Sequence, residues 1–281
     1  IRIYPFIFIL LWSSAFITTK PIIDNSDPFS ALAFRFFFVA LGFYLFSAFT
    51  KQSIIIKQKH IIESLFSGVL FHGLYLGGVF YSISIGMPTG IAALIVTLQP
   101  VLTNALSGPL LGEKVTLKQW AGVLLGFIGA VLVLGFDIGS KIPLLGLIAT
   151  IVALMSITAS TIWQKKLSNN LSLPVSNFYQ AIGGCIFHIL IIIFFSKPYI
   201  EFTETFLVAM GHQIFLVSFG AFTILMFLIK KNSASKTVSI FFLIPTTSAF
   251  MAWLFLNESL SNLDLLGFLI ASTGVYIATR K

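Results

Sequence analysis

Two side chains that can exchange protons or hydrogen bonds lie in the middle of the third hydrophobic run of the chain. His72 and Tyr75 are three residues apart, so a helix places both on one face. An imidazole in such a segment either bonds to a neighbouring helix or titrates near neutral pH and couples proton movement to another process. We expect both residues to bind substrate in a polar cavity, with protons as one candidate coupling partner.

Aromatic, hydroxyl and amide side chains interrupt other apolar runs. The further candidate substrate-binding residues are Trp12, Ser13, Thr97, Gln99, Gln180 and Thr246. A lining of this kind, with almost no charge inside the apolar runs, suits a neutral or zwitterionic organic solute and suits a bare metal ion or a phosphate ester poorly.

Three cations stand close to the ends of apolar runs. Lys20 and Lys165 end the first and sixth runs, and Arg35 lies about a turn and a half inside the second. They either anchor the helix ends at a membrane interface or form a gate or an anion-attracting vestibule.

The sequence contains no motif for a catalytic, metal or nucleotide site. HExxH spacing, a Cys/His cluster and a GxxxxGKS loop are all missing, and Cys185 is the single cysteine. We therefore expect no enzyme activity, no catalytic residue, no metal and no cofactor.

The elements that hold these residues are membrane spans. The chain is 57% apolar and 9% charged, with a mean hydropathy of +1.01, whereas soluble domains carry about 25% charge. Runs long enough to cross a bilayer fall at 3–22, 30–49, 62–85, 88–111, 117–136, 143–163, 175–195, 206–229, 233–256 and 263–279. The predicted fold is an all-α membrane protein with ten transmembrane helices. We interpret the first run as a span rather than a cleaved signal peptide, and expect a few residues to precede Ile1.

The second half of the chain repeats the first after 145 residues without a gap. The matched pairs are Pro100 and Pro245, Glu113 and Glu258, Gly122 and Gly267, Gly129 and Gly274, Lys20 and Lys165, and Arg35 and Gln180. A unit with an odd number of spans enters the membrane in opposite senses in its two copies. We therefore predict inverted five-helix repeats at 1–136 and 143–281, which form one membrane domain.

The repeated prolines and small residues have structural and functional interpretations. Pro100 and Pro245 are predicted within helices, where proline removes a backbone hydrogen bond and produces either a static kink or a hinge beside a cavity. The glycines of the fifth and tenth spans predict close helix packing or an oligomer surface. Glu113 and Glu258 precede helix starts and are interpreted as structural.

Basic residues predict the orientation. With a cytoplasmic N-terminus, only Lys20, Lys141 and Lys197 face outward, while most other lysines and arginines face the cytoplasm. The excess of basic residues thus predicts an integral protein of the cell (inner) membrane with both termini cytoplasmic. The expected partners are the lipid bilayer and a small-molecule substrate, and not nucleic acid; the oligomeric state stays open.

The order of short motifs resembles the drug/metabolite transporter superfamily, in particular its EamA-type ten-helix members. The likeness rests on Trp12-Ser-Ser-Ala-Phe with Lys20, on Arg35, on Leu98-Gln-Pro100 with Leu111-Gly-Glu113, and on Leu243-Ile-Pro245 with Leu256-Asn-Glu258. It covers essentially the whole chain. The resemblance implies a secondary transporter with a central cavity, in which His72 and Tyr75 match pore residues of an aromatic amino-acid exporter. Ile157 departs from the usual Trp of the sixth helix.

These observations favour one function. We expect a transporter or facilitator that moves a neutral or zwitterionic, amino-acid-like metabolite by alternating access. The resemblance also implies that such proteins are often exporters. A lipid or lipid-carrier flippase is the alternative, and the Phe-rich helices could supply the apolar lateral opening that it needs. A membrane enzyme would need a convergent acid, base or nucleophile set, which is missing.

Overall fold

The computed structural model describes residues 3–87, 89–134, 142–167, 171–256 and 261–279, which form α-helices joined by short loops. The helices of the first half are α1 Tyr4–Asp24, α2 Pro28–Phe49, α3 Gln58–Ser84, α4 Thr89–Val96, α5 Gln99–Leu111 and α6 Leu117–Leu134. Those of the second half are α7 Leu144–Leu167, α8 Leu173–Phe195, α9 Glu204–Lys231, α10 Ala234–Ser239, α11 Leu243–Leu256 and α12 Asn262–Thr279. Within these ranges, extended backbone pairs only in an isolated bridge between Ser26 and Ile200. The all-α prediction is confirmed.

Among the residues that the structure describes, seven helices (α1, α2, α3, α7, α8, α9 and α12) are long and apolar enough to cross a membrane, and α6 holds a shorter apolar stretch. The predicted fourth span, 88–111, is divided into α4 and α5, and the ninth, 233–256, into α10, a 3-10 turn and α11. The membrane class is confirmed, whereas a count of ten continuous helices is not.

The backbone follows the repeat found in the sequence. α2 and α8 begin 145 residues apart, and so do α6 and α12. The third helix of each half also contains a wide π-helical stretch at matching positions, Val69–Tyr75 in α3 and Gln213–Ala221 in α9. π-Helical turns are rare in proteins, and those that occur are often at functional sites. Their presence at matching positions indicates that the two halves share one structure.

Hydrogen bonds between helix ends show that matched helices run in opposite directions. Asp27, which caps the start of α2, accepts the Ser196 hydroxyl from the end of α8 at 2.6 Å. Lys165, at the end of α7, instead contacts the carbonyl oxygen of Asn232, just beyond α9. We name the two ends of the bundle the Asp27 end and the Lys165 end. α2 begins at the former and its repeat mate α8 ends there, so the inverted arrangement is confirmed.

Glycine faces hold the last helices of the two halves together. A Cβ added at Gly122 of α6 would lie 2.7 Å from the carbonyl oxygen of Gly274 of α12, and one at Gly129 would lie 2.6 Å from that of Gly267. Only glycine permits such backbone contact, and in lipid close packing is a main force between helices. The predicted small-residue faces therefore form an internal interface.

The start of α6 is capped by its own side chains. Thr116 N donates to Gln119 Oε1 at 2.9 Å and Gln119 N donates to Thr116 Oγ1 at 3.2 Å, which is a reciprocal capping box. Glu113 accepts from the backbone N of Ala234 at 2.8 Å, at the start of α10. Its carboxylate thus stabilises a helix N-terminus, in agreement with a structural role. Glu258 lies outside the described residues.

Each of the two repeated prolines follows a short interruption of regular α-helix within its span. α4 ends at Val96, and Pro100 is the second residue of α5. Pro245 is the third residue of α11, directly after the 3-10 turn Ile240–Phe242. A proline lacks the N–H that would continue the regular α-helical pattern, so each span is locally interrupted ahead of its proline. A hinge role for Pro100 and Pro245 stays a prediction.

Candidate functional site

One cavity lies among α1, α2, α3 and α9, between the middle of the bundle and the Asp27 end. The room that it offers to the centre of a water molecule is about 50 Å³, and about 550 Å³ when the surrounding space and the open mouth are included. Its aromatic lining consists of Trp12, Phe71, Tyr75, Phe80 and Phe222, and its polar lining of Thr19, Arg35, His72, Gln213 and Ser218. An apolar pocket with a few polar groups is the usual form of a small-molecule site.

Aromatic rings close the cavity toward the Lys165 end. The Trp12 ring lies 6.0 Å from the ring of Phe71, edge to face, and 6.0 Å from that of Phe241, stacked. We call Trp12, Phe71 and Phe222 the aromatic floor. Beneath it, Phe8, Phe241 and buried aliphatic side chains of α9 form a continuous apolar core. A solute in the cavity is therefore separated from the Lys165 end.

The π-helical stretch of α3 positions His72 and Tyr75 at the cavity. The His72 ring lies between Phe36, at 4.4 Å, and Phe222, at 4.5 Å between ring centroids. Its backbone carbonyl oxygen accepts from His188 Nε2 at 2.9 Å. The imidazole is thus fixed by ring contacts, while its buried Nδ1 makes no hydrogen bond to the described residues.

Arg35 reaches the same cavity from α2. Its side chain is 5% exposed, its Nε donates to Ser218 Oγ at 2.9 Å, and its guanidinium carbon lies 5.3 Å from the Phe36 ring centre. No ion pair joins it to a carboxylate in the part of the chain that the structure describes. The structure therefore places Arg35 inside the site instead of at an interface.

The structure does not bring the other candidate binding residues into this cavity. Ser13 donates to the Ile244 carbonyl at 3.3 Å, and Gln99 Nε2 donates to Thr161 Oγ1 at 3.0 Å. Thr97 and Thr246 donate to carbonyl oxygens of their own preceding turns. These side chains bond to a neighbouring helix or to their own backbone, while the buried Gln99 Oε1 makes no hydrogen bond to the described residues.

Gln180 lies at a second, smaller cavity toward the Lys165 end, which offers about 10 Å³ to the centre of a water molecule. Its Oε1 accepts from Ser67 Oγ and Gln164 Nε2, both at 3.2 Å, and its Nε2 donates to Ser176 Oγ at 3.0 Å. Every polar atom of the Gln180 side chain is bonded, so this cavity is closed by a polar network.

The two repeat-related lysines occupy unlike surroundings. The Lys20 side chain is 81% exposed and its Nζ lies 3.1 Å from Asp24 Oδ2. Lys165 Nζ instead donates to the carbonyl oxygens of Ile229, at 2.9 Å, and Asn232, at 2.5 Å. Lys165 thus ties α7 to the end of α9, whereas Lys20 makes no contact with another helix among the described residues.

Sequence reasoning missed Thr19, Gln213, Ser218 and Phe222 at the cavity. Gln213 Nε2 donates to the Ala15 carbonyl at 3.0 Å and to Thr18 Oγ1 at 2.9 Å. A signal was present, because Gln213 and Ser218 are polar residues five positions apart inside an apolar run of α9.

The chain matches one family of membrane proteins in both halves. The sequence profile of the EamA-like transporter family matches residues 3–135 and again 144–280. The probable amino-acid metabolite efflux pump of Escherichia coli K12 is 24% identical over 96% of this chain and 91% of its own length. The uncharacterized transporter YvbV of Bacillus subtilis strain 168 is 27% identical over 79% of this chain and 72% of its own.

A solved crystal structure shares the fold. It superposes on 99% of this chain and 96% of its own with a TM-score of 0.81, at 18% sequence identity.

Proposed function

Because the chain belongs to the EamA-like transporter family, we propose that it is a secondary transporter that moves a small neutral or zwitterionic, amino-acid-like metabolite by alternating access. That it is an integral membrane transporter follows from the family and the apolar helices. The solute class is supported by the aromatic and polar cavity, and by relatives named as amino-acid metabolite efflux pumps. The halves 1–136 and 143–281 are its moving parts, and the basic Lys165 end is cytoplasmic.

The mechanism is supported by one observation: residues that match in the two halves make different contacts at the two ends of the bundle. In an inverted repeat, exchange of the conformations of the two halves turns a state that faces one side into a state that faces the other. The cavity lies on the Asp27 side of the aromatic floor, and the Lys165 contacts lie on the other side. We take this arrangement as an outward-facing state under the proposed orientation.

The sequence offset defines the contacts of the opposite state. Ile229 and Asn232, the acceptors of Lys165, correspond to Ser84 and Met87 at the end of α3. In the inward-facing state, Lys20 leaves Asp24 and donates to the carbonyl oxygens of these two residues, while Lys165 is released. We name these lysine contacts the Lys165 latch and the Lys20 latch.

Thiol labelling at a repeat-related pair tests the proposed state. Thr19 lies at the open cavity and its mate Gln164 at the closed one. In a Cys185→Ala background, with detergent-purified protein so that a hydrophilic thiol reagent reaches both ends, Thr19→Cys is expected to react quickly and Gln164→Cys slowly. A transported solute should bring the two rates closer together. Equal rates without solute, unchanged by any solute of a metabolite panel, contradict the mechanism.

Flux itself is measured in liposomes. Purified protein is screened with a metabolite panel by thermal shift, and compounds that stabilise it are then tested for uptake with and without a pH gradient. Uptake of a stabilising compound above that of empty liposomes supports the proposal. Failure of every stabilising compound to cross contradicts transport of this solute class.

A further inference from the structure

Building on the proposed function, we propose that the transported solute carries a carboxylate and that Arg35 binds this group inside the cavity. The proposal narrows the solute from neutral or zwitterionic molecules to those with a single planar anionic end. The aromatic floor then receives the remainder of the molecule.

The first argument is the missing counter-charge. Arg35 is a buried cation, and a buried charge without a partner is strongly unfavourable. The closest acidic candidates along the chain are engaged elsewhere. Asp27 Oδ2 accepts from the Ser30 backbone N and hydroxyl, both at 2.8 Å, and its Oδ1 accepts from Ser196. Asp24 pairs with Lys20. A solute anion supplies the charge that the described residues do not.

The second argument is geometric. Ser218 takes only the Nε hydrogen of Arg35, and the Phe36 ring flanks the guanidinium. The two terminal nitrogens make no hydrogen bond to the described residues, although the side chain lines the cavity. Two parallel N–H groups match the two oxygens of a carboxylate in a bidentate pair, the strongest geometry that arginine offers.

The third argument comes from the repeat. The mate of Arg35 is Gln180, a neutral residue fully bonded to Ser67, Gln164 and Ser176. The helix position alone therefore does not require a cation. The charge belongs to one half of the protein, so the cavity has one anion site and not a symmetric pair.

The cavity lining distinguishes a carboxylate from a phosphate ester. A phosphate monoester carries about 1.5 to 2 negative charges at neutral pH, whereas Arg35 is the single lysine or arginine among the described lining residues. One carboxylate balances it. Trp12, Phe71 and Phe222 offer ring faces to an aromatic side chain or to an ammonium group.

The test uses four compounds that share a phenyl ring: phenylalanine, phenylalaninamide, 3-phenylpropanoate and phenethylamine. Wild-type protein in liposomes is expected to take up phenylalanine and 3-phenylpropanoate with an apparent affinity about 10- to 100-fold higher than that of the amide and the amine. Equal or stronger uptake of the amide or the amine overturns the carboxylate proposal and leaves the transporter intact. Uptake of none of the four contradicts the proposed function itself.

Variants assign the effect to the guanidinium. Arg35→Gln, which introduces the residue of the repeat mate, is expected to reduce the affinity for the two acids to that for the amide. Arg35→Lys should restore part of it, because the charge remains while the bidentate geometry is lost. Lys118→Gln removes an exposed charge on α6 as the matched control. Unchanged affinity for both acids in monodisperse Arg35→Gln protein refutes the assignment.

Discussion

Replacement of Lys165 by methionine is expected to open the Lys165 end of the bundle. Methionine keeps an unbranched side chain but removes the charged donor of the bonds to Ile229 and Asn232, at 2.9 and 2.5 Å. A hydrogen bond from a charged group contributes about 1.5–3 kcal/mol when buried. Because Lys165 is half-buried, we take about 1–3 kcal/mol for the pair.

This free energy sets the size of the effect. A loss of about 1–3 kcal/mol from one state shifts a two-state equilibrium by about 5- to 150-fold. The labelling rate of Gln164→Cys reports the inward-facing population and should rise by that factor in Lys165→Met. Lys166→Met, an exposed neighbour on the same helix, is the control and should leave the rate unchanged.

The mirror substitution makes the test stringent. Lys20 holds only an exposed pair with Asp24, which is worth about 0–1 kcal/mol. Lys20→Met should therefore barely disturb the present state, but it removes the Lys20 latch from the opposite one and should lower Gln164→Cys labelling. Changes of the same sign in Lys165→Met and Lys20→Met, or no change in either, refute the latch reasoning.

Three further predictions concern the site and its frame. Alanine in place of both Pro100 and Pro245 permits helix across the breaks in the fourth and ninth spans, and should slow flux more than it weakens solute binding in a liposome assay. Gly129→Ala should lower the free energy of unfolding by about 1–3 kcal/mol, because the added Cβ would lie 2.3 Å from the backbone N of Ala271. Gly211→Ala, where no atom lies within 4 Å of the added Cβ, should leave it unchanged. Trp12→Ala should weaken the binding of aromatic solutes about tenfold through loss of ring contacts, as measured by thermal shift with a dose series.

Much of the fold could be predicted because the repeat acts as an internal control. The offset of 145 residues fixed the pairing of helices, and the odd number of spans implied the inversion that the Asp27 contacts show. The starts of α6 and α12 could also be predicted, because capping depends only on residues next to each other in the sequence. Local signals did not reveal the breaks before Pro100 and Pro245, because proline fits both a kinked helix and a new first turn.

The cavity could be predicted only in part. Trp12, His72 and Tyr75 are recognisable from the sequence because aromatic and ionisable groups are conspicuous in apolar runs. Ser218 was missed because a serine in a helix usually bonds to its own backbone, and only the three-dimensional structure shows that it holds Arg35. The depth of Arg35 in the bundle likewise depends on packing between helices that are distant in sequence.

The residues that would close each end of the bundle differ between the two halves. We expect this difference to make closure of the Asp27 end depend on bound solute. At the Lys165 end, α3 and α8 meet backbone to backbone, since a Cβ on Gly68 would lie 2.0 Å from the Gln180 carbonyl oxygen. The mate of Gly68 is Gln213, and the mate of Gln180 is Arg35. At the Asp27 end, the side chains of Gln213 and Arg35 both line the cavity, so we expect that this end does not close by the same backbone contact.

We expect an anion bound at Arg35 to neutralise the guanidinium and to fill cavity space that Gln213 also lines. In the proposed cycle, an empty cavity therefore resists closure at the Asp27 end, whereas closure at the Lys165 end needs no solute. A transporter with this asymmetry rests in the state that the structure shows and leaves it when the cavity is filled. Gln213→Gly should remove the barrier, which would raise Gln164→Cys labelling in the absence of solute and reduce the response to added solute. Unchanged labelling in that variant would place the control of closure elsewhere in the bundle.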